Sequence, residues 1–474
     1  MRFGSVLIIE TRRMSVAGTS PFSLISEGFM RRTLVTNDVR GIPMFLMAFQ
    51  HVMVMYAGAV AIPLVLGAAL GLSKSDVAFL INADLFACGI VTIIQALGIG
   101  PVGIRMPVMM GVTFTAIGPM IAIGSDPAAG LSGIFGATIA AGLFGLAISP
   151  LVGKLLRFFP PVVTGTEIVA VGLSLMSVAA AWSAGGFGNE SFGDPLYLAI
   201  ACAVLICILL IVRYTSGFVS NISVLVGLVF GFSVSAFAGL VSLEGIQDAP
   251  AFGFIMPFHF GLPTFHLWPI AAMCIVMLVT FVESTGMFIA LGEIVEKPVD
   301  ERTLTRGFRA DAVGTVVGGV FNTFPYTSYA QNIGLVGITG VRSPWVCAMA
   351  GVILIVLGLF PKVAYFVASI PPCVLGGAGI VMFGMVTASG MKVLGRVDFS
   401  KAGNLYIVAI SLAVGMLPVV SPQFFSKLPS ALSPILESPI LLTAIVATAL
   451  NIFFNGVRKS EAAEVASESN EVSA

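Results

Sequence analysis

Glu283 lies in WPIAAMCIVMLVTFVESTGMFIALGE, an otherwise apolar run long enough to cross a bilayer. An ionisable side chain at that depth costs about 3 kcal/mol or more unless it faces a cavity, a partner or a passing solute. A carboxyl in such a place can hold the N–H edge of a polar solute, and it can exchange a proton as that solute binds. The alternative is a structural carboxyl satisfied by a neighbouring helix. Met287 follows one helical turn later and shares the face of Glu283. Gln331 and Asn332, in NTFPYTSYAQNIGLVGITG, carry amides that offer donors and acceptors together, the complement of a planar heterocycle with alternating N–H and C=O groups. Phe114, in MPVMMGVTFTAIGPMIAIG, could stack on such a ring with the Thr113 hydroxyl beside it; ordinary packing would explain Phe114 equally well.

Other polar residues inside apolar runs read less sharply. Asp311 opens the run DAVGTVVGGVF just after Arg302, Arg306 and Arg309, either as a helix-start acid at the interface or as a group drawn into the bundle by the small residues that follow. His51 is the histidine inside a predicted span, where an interhelical hydrogen bond is the commoner role than proton carriage. Asn82 and Asp84 form a second buried pair, open to a structural or a functional reading. Lys362, beside Pro361, is expected to snorkel to the interface. The six cysteines lie in apolar runs without metal-ligand or CxxC spacing and read as packing residues.

The elements that hold these groups follow from composition. The chain of 474 residues is 57% hydrophobic and 10% charged, with a mean hydropathy of +1.04. Solid apolar blocks of about 20 residues, without the alternation of a barrel, indicate an all-α polytopic membrane protein. Blocks near 44–68, 77–97, 107–125, 130–151, 161–182, 195–213, 218–241, 267–291, 308–323, 327–341, 344–368, 372–391, 402–420 and 439–456 make fourteen. An even count puts both termini on one side. A cytoplasmic amino terminus then gathers Arg12, Arg13, Arg31, Arg32, Arg40, Arg105, Lys154, Arg157, Arg213, Lys297, Arg302, Arg306, Arg342, Lys392, Arg396, Lys401, Arg458 and Lys459 inside, leaving Lys74 and Lys427 outside, the asymmetry expected of loops flanking spans. The acids Asp126, Glu190, Asp194, Glu244 and Asp248 fall on the other side.

The third and tenth blocks are poor continuous helices, rich in Thr, Gly or Pro, and they occupy matching places in a division of seven plus seven. Because seven is odd, a duplicated unit inserts upside down the second time. Paired interrupted segments of this kind point to a binding site at the membrane midplane of a transporter. The apolar stretch Val6–Ile9 is too short for a signal-peptide core, so no cleaved signal is expected, and the acidic, Ser-rich end SEAAEVASESNEVSA reads as a disordered tail. A net charge of zero gives no argument for nucleic acid. The chain has no HExxH, GxSxG or Walker motif, which disfavours a membrane enzyme acting on lipids.

QNIGLVGITG, residues 331–340, resembles the signature of the nucleobase-ascorbate transporters (nucleobase:cation symporter family 2), in which Gln or Glu, Asn, a spaced Gly and Thr recur. The likeness extends to QHVMVMYAGA in the first span, RMPVMMGVTF in the third, FVESTG in the eighth and RADAVGTVVGGVFNTFPYTSY before the signature. It covers most of residues 40–455. The resemblance implies fourteen transmembrane segments as two inverted seven-helix repeats, with short strands in the broken segments 3 and 10. It further implies a cytoplasmic tail (1–42), a core domain (43–151 and 266–368), a gate domain (160–241 and 371–456) and a disordered C-terminal tail (457–474). By matching motif positions, Glu283 and Gln331 would hold the base, Asn332 and Thr339 would shape the site, and His51 and Asp311 would support the core and its proton coupling. Met287 departs from the carboxylate of xanthine-type relatives and the histidine of uracil-type relatives, and Gln331 resembles the purine branch.

The expectation is therefore a proton-coupled importer of an oxidised purine, urate ahead of xanthine, with Thr113 and Ser438 tuning the choice. No catalytic or metal-binding residue and no cofactor is expected, and Na+ is the alternative to H+ as coupling ion. A homodimer in the plasma membrane, the inner membrane of a bacterium, with both termini cytoplasmic, completes the picture. The rivals are an anion or sulfate-type carrier of related fold and a uracil-type permease.

Overall fold

Proline stands at the first or second position of many of the helices, where its missing N–H is not needed and its fixed φ suits the first turn. In the computed structural model it opens α1 (Ile42–Leu70), α5 (Pro161–Ser183), α6 (Pro195–Tyr214), α11 (Pro344–Gly358), α12 (Pro372–Leu394) and α14 (Pro439–Asn455). Side-chain caps start others: Ser73 accepts from the Asp76 N–H at α2 (Lys74–Leu97), and Asp300 accepts from the Thr303 N–H at α9 (Glu301–Val320). The other helices of nine residues or more are α3 (Ile117–Ser125), α4 (Gly130–Ile148), α7 (Ser223–Phe237), α8 (Leu267–Val295), α10 (Ala330–Thr339) and α13 (Ala402–Gly415). The structure describes residues 40–152, 159–186, 189–242, 246–247, 250–429 and 432–456. The tail readings for 1–39 and 457–474 lie outside those residues, as do Lys154, Arg157, Glu244 and Asp248.

Among the described residues, eight helices are by themselves long and apolar enough to cross a membrane, and α11 taken together with the short helix Pro361–Ala368, bent by 81° at the break, passes the same test of length and composition. The five other segments are shorter, interrupted or charged at one end, and together the fourteen follow the order of the apolar blocks. Two block readings need correction. The eleventh block is not one helix but this bent pair, because Pro361 cannot continue α11. The ninth begins at Glu301, seven residues earlier than hydropathy suggested, since its first turns carry Arg302, Arg306 and Arg309. Asp311 is thus in the third turn of α9 and fully buried, not at a helix start on the interface.

The inverted repeat is visible in length and in packing. Helices α1 and α8 each have 29 residues, and α5 and α12 each have 23. Exchanging the two sets of seven, by adding seven to helix numbers 1–7 and subtracting it from 8–14, turns one set of contacts into another: α2–α11 into α9–α4, α1–α11 into α8–α4, α6–α12 into α13–α5, α7–α12 into α14–α5, α6–α7 into α13–α14, and α1–α7 into α8–α14. The pair α5–α12 maps onto itself. At the α2–α11 crossing Gly89 and Gly351 face each other, and a Cβ on either would meet the carbonyl oxygen of the other. Small residues let membrane helices approach this closely. Gly89→Leu should therefore force the helices apart and destabilise the protein by about 3 kcal/mol, the upper end of overpacking costs, read as a fall in the thermal unfolding temperature of the detergent-purified protein.

The breaks in segments 3 and 10 are short strands, β1 (Met110–Val112) and β2 (Tyr326–Ser328). They pair antiparallel, with Met110 opposite Ser328, Gly111 opposite Thr327 and Val112 opposite Tyr326. The pairing continues at both ends, where the Thr113 N–H donates to the Pro325 carbonyl at 3.0 Å and the Tyr329 N–H to the Met109 carbonyl at 2.9 Å. Extended backbone inside a bilayer needs partners within the protein. Each repeat supplies them to the other. Gly111 has to be glycine here, because a Cβ would fall on the ring of Tyr329.

Candidate functional site

The strand pair sets the positions of the polar residues around Glu283. After β1 the chain makes a short turn, Phe114–Ala116, before α3 begins. That turn aims two hydroxyls at α8: Thr115 Oγ1 donates to Glu283 Oε1 at 2.7 Å, and Thr113 Oγ1 donates to Glu283 Oε2 at 3.3 Å. Glu283 is half-buried, whereas Thr113 and Thr115 are buried. One residue on, Ser284 shares a hydrogen bond with Thr327 of β2 at 3.2 Å. Helix α8 is thereby tied to both broken segments at the level of its carboxylate.

Space opens at Phe114, between the two threonines in sequence; Glu283 itself does not line it. A cavity of about 500 Å³, including its open mouth, is lined by Phe114, Tyr329, Gln331, Asn221 and Met382 among others. Phe114 also packs edge-to-face on Phe383 of α12, with centroids 6.0 Å apart. Gly286 stands three residues after Glu283 and Gly334 three after Gln331, on the same helix faces. A Cβ at either would meet nothing. The faces of α8 and α10 that present the carboxylate and the amide are therefore open, and Gln331 is exposed.

A second polar layer lies behind. Asn332 Nδ2 donates to the His51 carbonyl at 2.9 Å and lies 3.1 Å from His51 Nδ1, so α10 is pinned to α1. Gln95 of α2 donates from Nε2 to Asp311 Oδ1 at 3.0 Å and to the Gly307 carbonyl at 3.1 Å, and its Oε1 accepts from the Ile104 N–H at 2.9 Å. Asp84 Oδ1 accepts from the Tyr326 hydroxyl at 2.8 Å, which fastens β2 to α2. The Met110 N–H donates to Thr92 Oγ1 at 3.0 Å, which fastens β1 to the same helix.

Of the residues singled out from sequence, the structure brings Glu283 and Thr113 into contact, places Phe114 and Gln331 on one cavity, and joins His51 to Asn332. Met287 is half-buried one turn beyond Glu283. Thr339 and Ser438 make no bond to these groups. Thr339 Oγ1 donates to the Leu335 carbonyl of its own helix at 2.8 Å, and Ser438 Oγ accepts from the Leu441 N–H to cap α14. Thr115, Gln95 and Tyr326 went unnoticed in the sequence. Their partners are distant along the chain, and hydroxyls and amides in apolar runs carry no pattern that singles them out. Glu167, an acid inside the apolar run of α5, was also passed over, although the signal that marked Glu283 marks it equally.

Fourteen segments, two of them interrupted and paired, with an open polar site beside that pair, define a polytopic membrane carrier. The profile of a permease family matches residues 43–424. The chain belongs to this family, the nucleobase-ascorbate transporters, and is a permease rather than an enzyme. It is 54% identical to the uric acid transporter UacT of Escherichia coli (strain K12) over 415 residues, which span 87% of this chain and 86% of that protein. It is 44% identical to the xanthine permease of Bacillus subtilis (strain 168), over 88% of this chain and 95% of that one. Among solved structures, the transmembrane domain of the cyanobacterial bicarbonate transporter BicA superposes with a TM-score of 0.56 at 18% identity, covering 88% of this chain and 100% of that one. The murine anion transporter Slc26a9, in its inward-facing state, gives 0.59 at 13% identity, covering 94% of this chain and 73% of that one. These two share the fold.

Proposed function

We propose that the protein imports an oxidised purine base, urate ahead of xanthine, by proton-coupled alternating access. The observation that carries this reading is the Glu283 carboxylate, held by Thr113 and Thr115, the two residues that flank Phe114, which lines a cavity together with Gln331. Glu283 and Gln331 grip the polar edge of the base, Phe114 stacks on its ring, and Thr113 and Met287 bound the pocket. His51, Asp311, Asn332 and Thr339 support the frame and its coupling, and Ser438 tunes the choice of base. The names of the two relatives above, a uric acid transporter and a xanthine permease, favour this substrate class.

In this reading segments 1–4 and 8–11 form a core (43–151 and 266–368) that moves against a gate of segments 5–7 and 12–14 (160–241 and 371–456). Proton and base bind from outside, and the core then shifts to open inwards. Coupling requires that protonation favour the loaded state, because a proton bound equally well in every state drives nothing. The membrane is the inner membrane of a bacterium, with both termini cytoplasmic, and a homodimer is the working assembly.

Uptake of labelled xanthine, competed with unlabelled urate, xanthine, hypoxanthine and uracil at two proton gradients, tests the reading. Urate should compete best, and uptake should rise with the inward gradient. Best competition by uracil, or uptake of labelled sulfate in place of the purine, would overturn the substrate; indifference to the gradient would overturn the proton.

A further inference from the structure

Glu167 has no part in the scheme above. It stands near the end of the second turn of α5, in PVVTGTEIVAVGLSLMSVAAAWS. Its side chain is 0% exposed, and neither carboxylate oxygen has a hydrogen-bond partner. The neighbouring Thr166 hydroxyl is committed to the Val162 carbonyl of the same helix.

The helices packed on α5 are α12, α14, α13 and α6, and they offer it no cation. Helix α14 carries no ionisable side chain. On α12, Lys392 is exposed in the last turn and Cys373 lies in the first; on α13, Tyr406 is exposed. On α6, Arg213, Tyr214 and Cys202 are exposed, and Tyr197 and Cys207 are half-buried. Among the described residues, the charge that Glu167 senses is that of Glu283. An ionised carboxylate shut away from every donor is among the costliest groups to bury, and a like charge nearby adds to that cost. Glu167 therefore sits in this packing as the neutral acid.

We propose that Glu167 is a second proton-binding carboxyl of the transport cycle, set on the α5 side of the path where Glu283 stands on the α8 side. It keeps its proton while α5 is packed as here. The helices packed on α5 all belong to the gate, so what changes when the core shifts is the separation of Glu167 from Glu283 of the core, and with it the cost of ionising Glu167, which lets the proton leave. A carboxyl on each side of the moving boundary ties protonation to the motion itself, so the base-binding acid need not perform both tasks. This rests on the proton-coupled reading given above.

The test uses the full-length protein in proteoliposomes, with labelled urate in two assays: accumulation driven by a proton gradient, and urate–urate exchange, which needs no net proton movement. Glu167→Gln keeps the volume and removes the titration. Its exchange should stay within about twofold of the parent, while driven accumulation should fall between about 5- and 150-fold, the usual size of a coupling between two sites. Glu167→Asp should restore part of the accumulation with a displaced pH profile. Thermal unfolding and urate binding confirm that each variant is folded. Parental accumulation by Glu167→Gln with an unchanged pH profile would overturn the proposal, and so would equal loss of exchange and accumulation in both variants. A parent that ignores the proton gradient would overturn the proton-coupled reading itself, and the proposal with it; that control separates the two failures.

Discussion

Glu283→Gln should lower driven uptake of labelled urate by about 10- to 100-fold, because a hydrogen bond to a charged group is worth about 1.5–3 kcal/mol and each 1.4 kcal/mol is a factor of ten. The carboxylate accepts from Thr115 at 2.7 Å and from Thr113 at 3.3 Å. An amide of the same shape can keep both contacts, since a threonine hydroxyl donates or accepts as required. The variant should therefore fold and reach the membrane at parental abundance, measured by immunoblot of membrane fractions. What it loses is the anionic acceptor for the N–H edge of a base and the capacity to exchange a proton. Parental accumulation at a fixed proton gradient would remove Glu283 from its role.

Gln95→Leu should have the largest effect on stability. One side chain there makes three hydrogen bonds, to Asp311, to the Gly307 carbonyl and from the Ile104 N–H, all of them buried. At about 1 kcal/mol each, with Asp311 also left without this donor, the loss should reach about 3 kcal/mol or more. Thermal unfolding of the purified protein measures it. The double variant Gln95→Leu/Asp311→Leu should recover only the Asp311 share of that loss, since it removes the orphaned acid while the Gly307 carbonyl and the Ile104 N–H stay without their Gln95 partner. A single variant as stable as the parent would show that the α2–α9 network contributes little.

The order of the segments was legible because hydropathy over about 20 residues is what the bilayer demands of a helix. The breaks at segments 3 and 10 were legible because Gly, Thr and Pro are poor choices for a lipid-facing helix without an alternative use. The start of α9 was not, since Glu301, Arg302, Arg306 and Arg309 form a charged first half that reads as loop although Asp300 caps it as helix. Hydropathy measures lipid compatibility rather than helicity.

The site divides in the same way. Glu283 announced itself by its cost in an apolar run. Thr115 and Gln95 did not, because their worth comes from partners 168 and 216 residues away, which no local pattern encodes. His51 and Asn332 each read as polar residues in their own segments, and the bond between them became visible only once α1 and α10 were side by side. Thr339 and Ser438 came from motif matching alone, and in the structure their hydroxyls serve helix ends. Glu167 was legible by the rule that found Glu283.

A structure of the protein with urate bound is the most direct measurement. The expected result is a purine ring in the cavity beside Phe114, with ring N–H groups within hydrogen-bond distance of the Glu283 carboxylate and a ring carbonyl on the Gln331 amide. A ring seated elsewhere, with Glu283 still engaged only by Thr113 and Thr115, would contradict the central role given to that carboxylate.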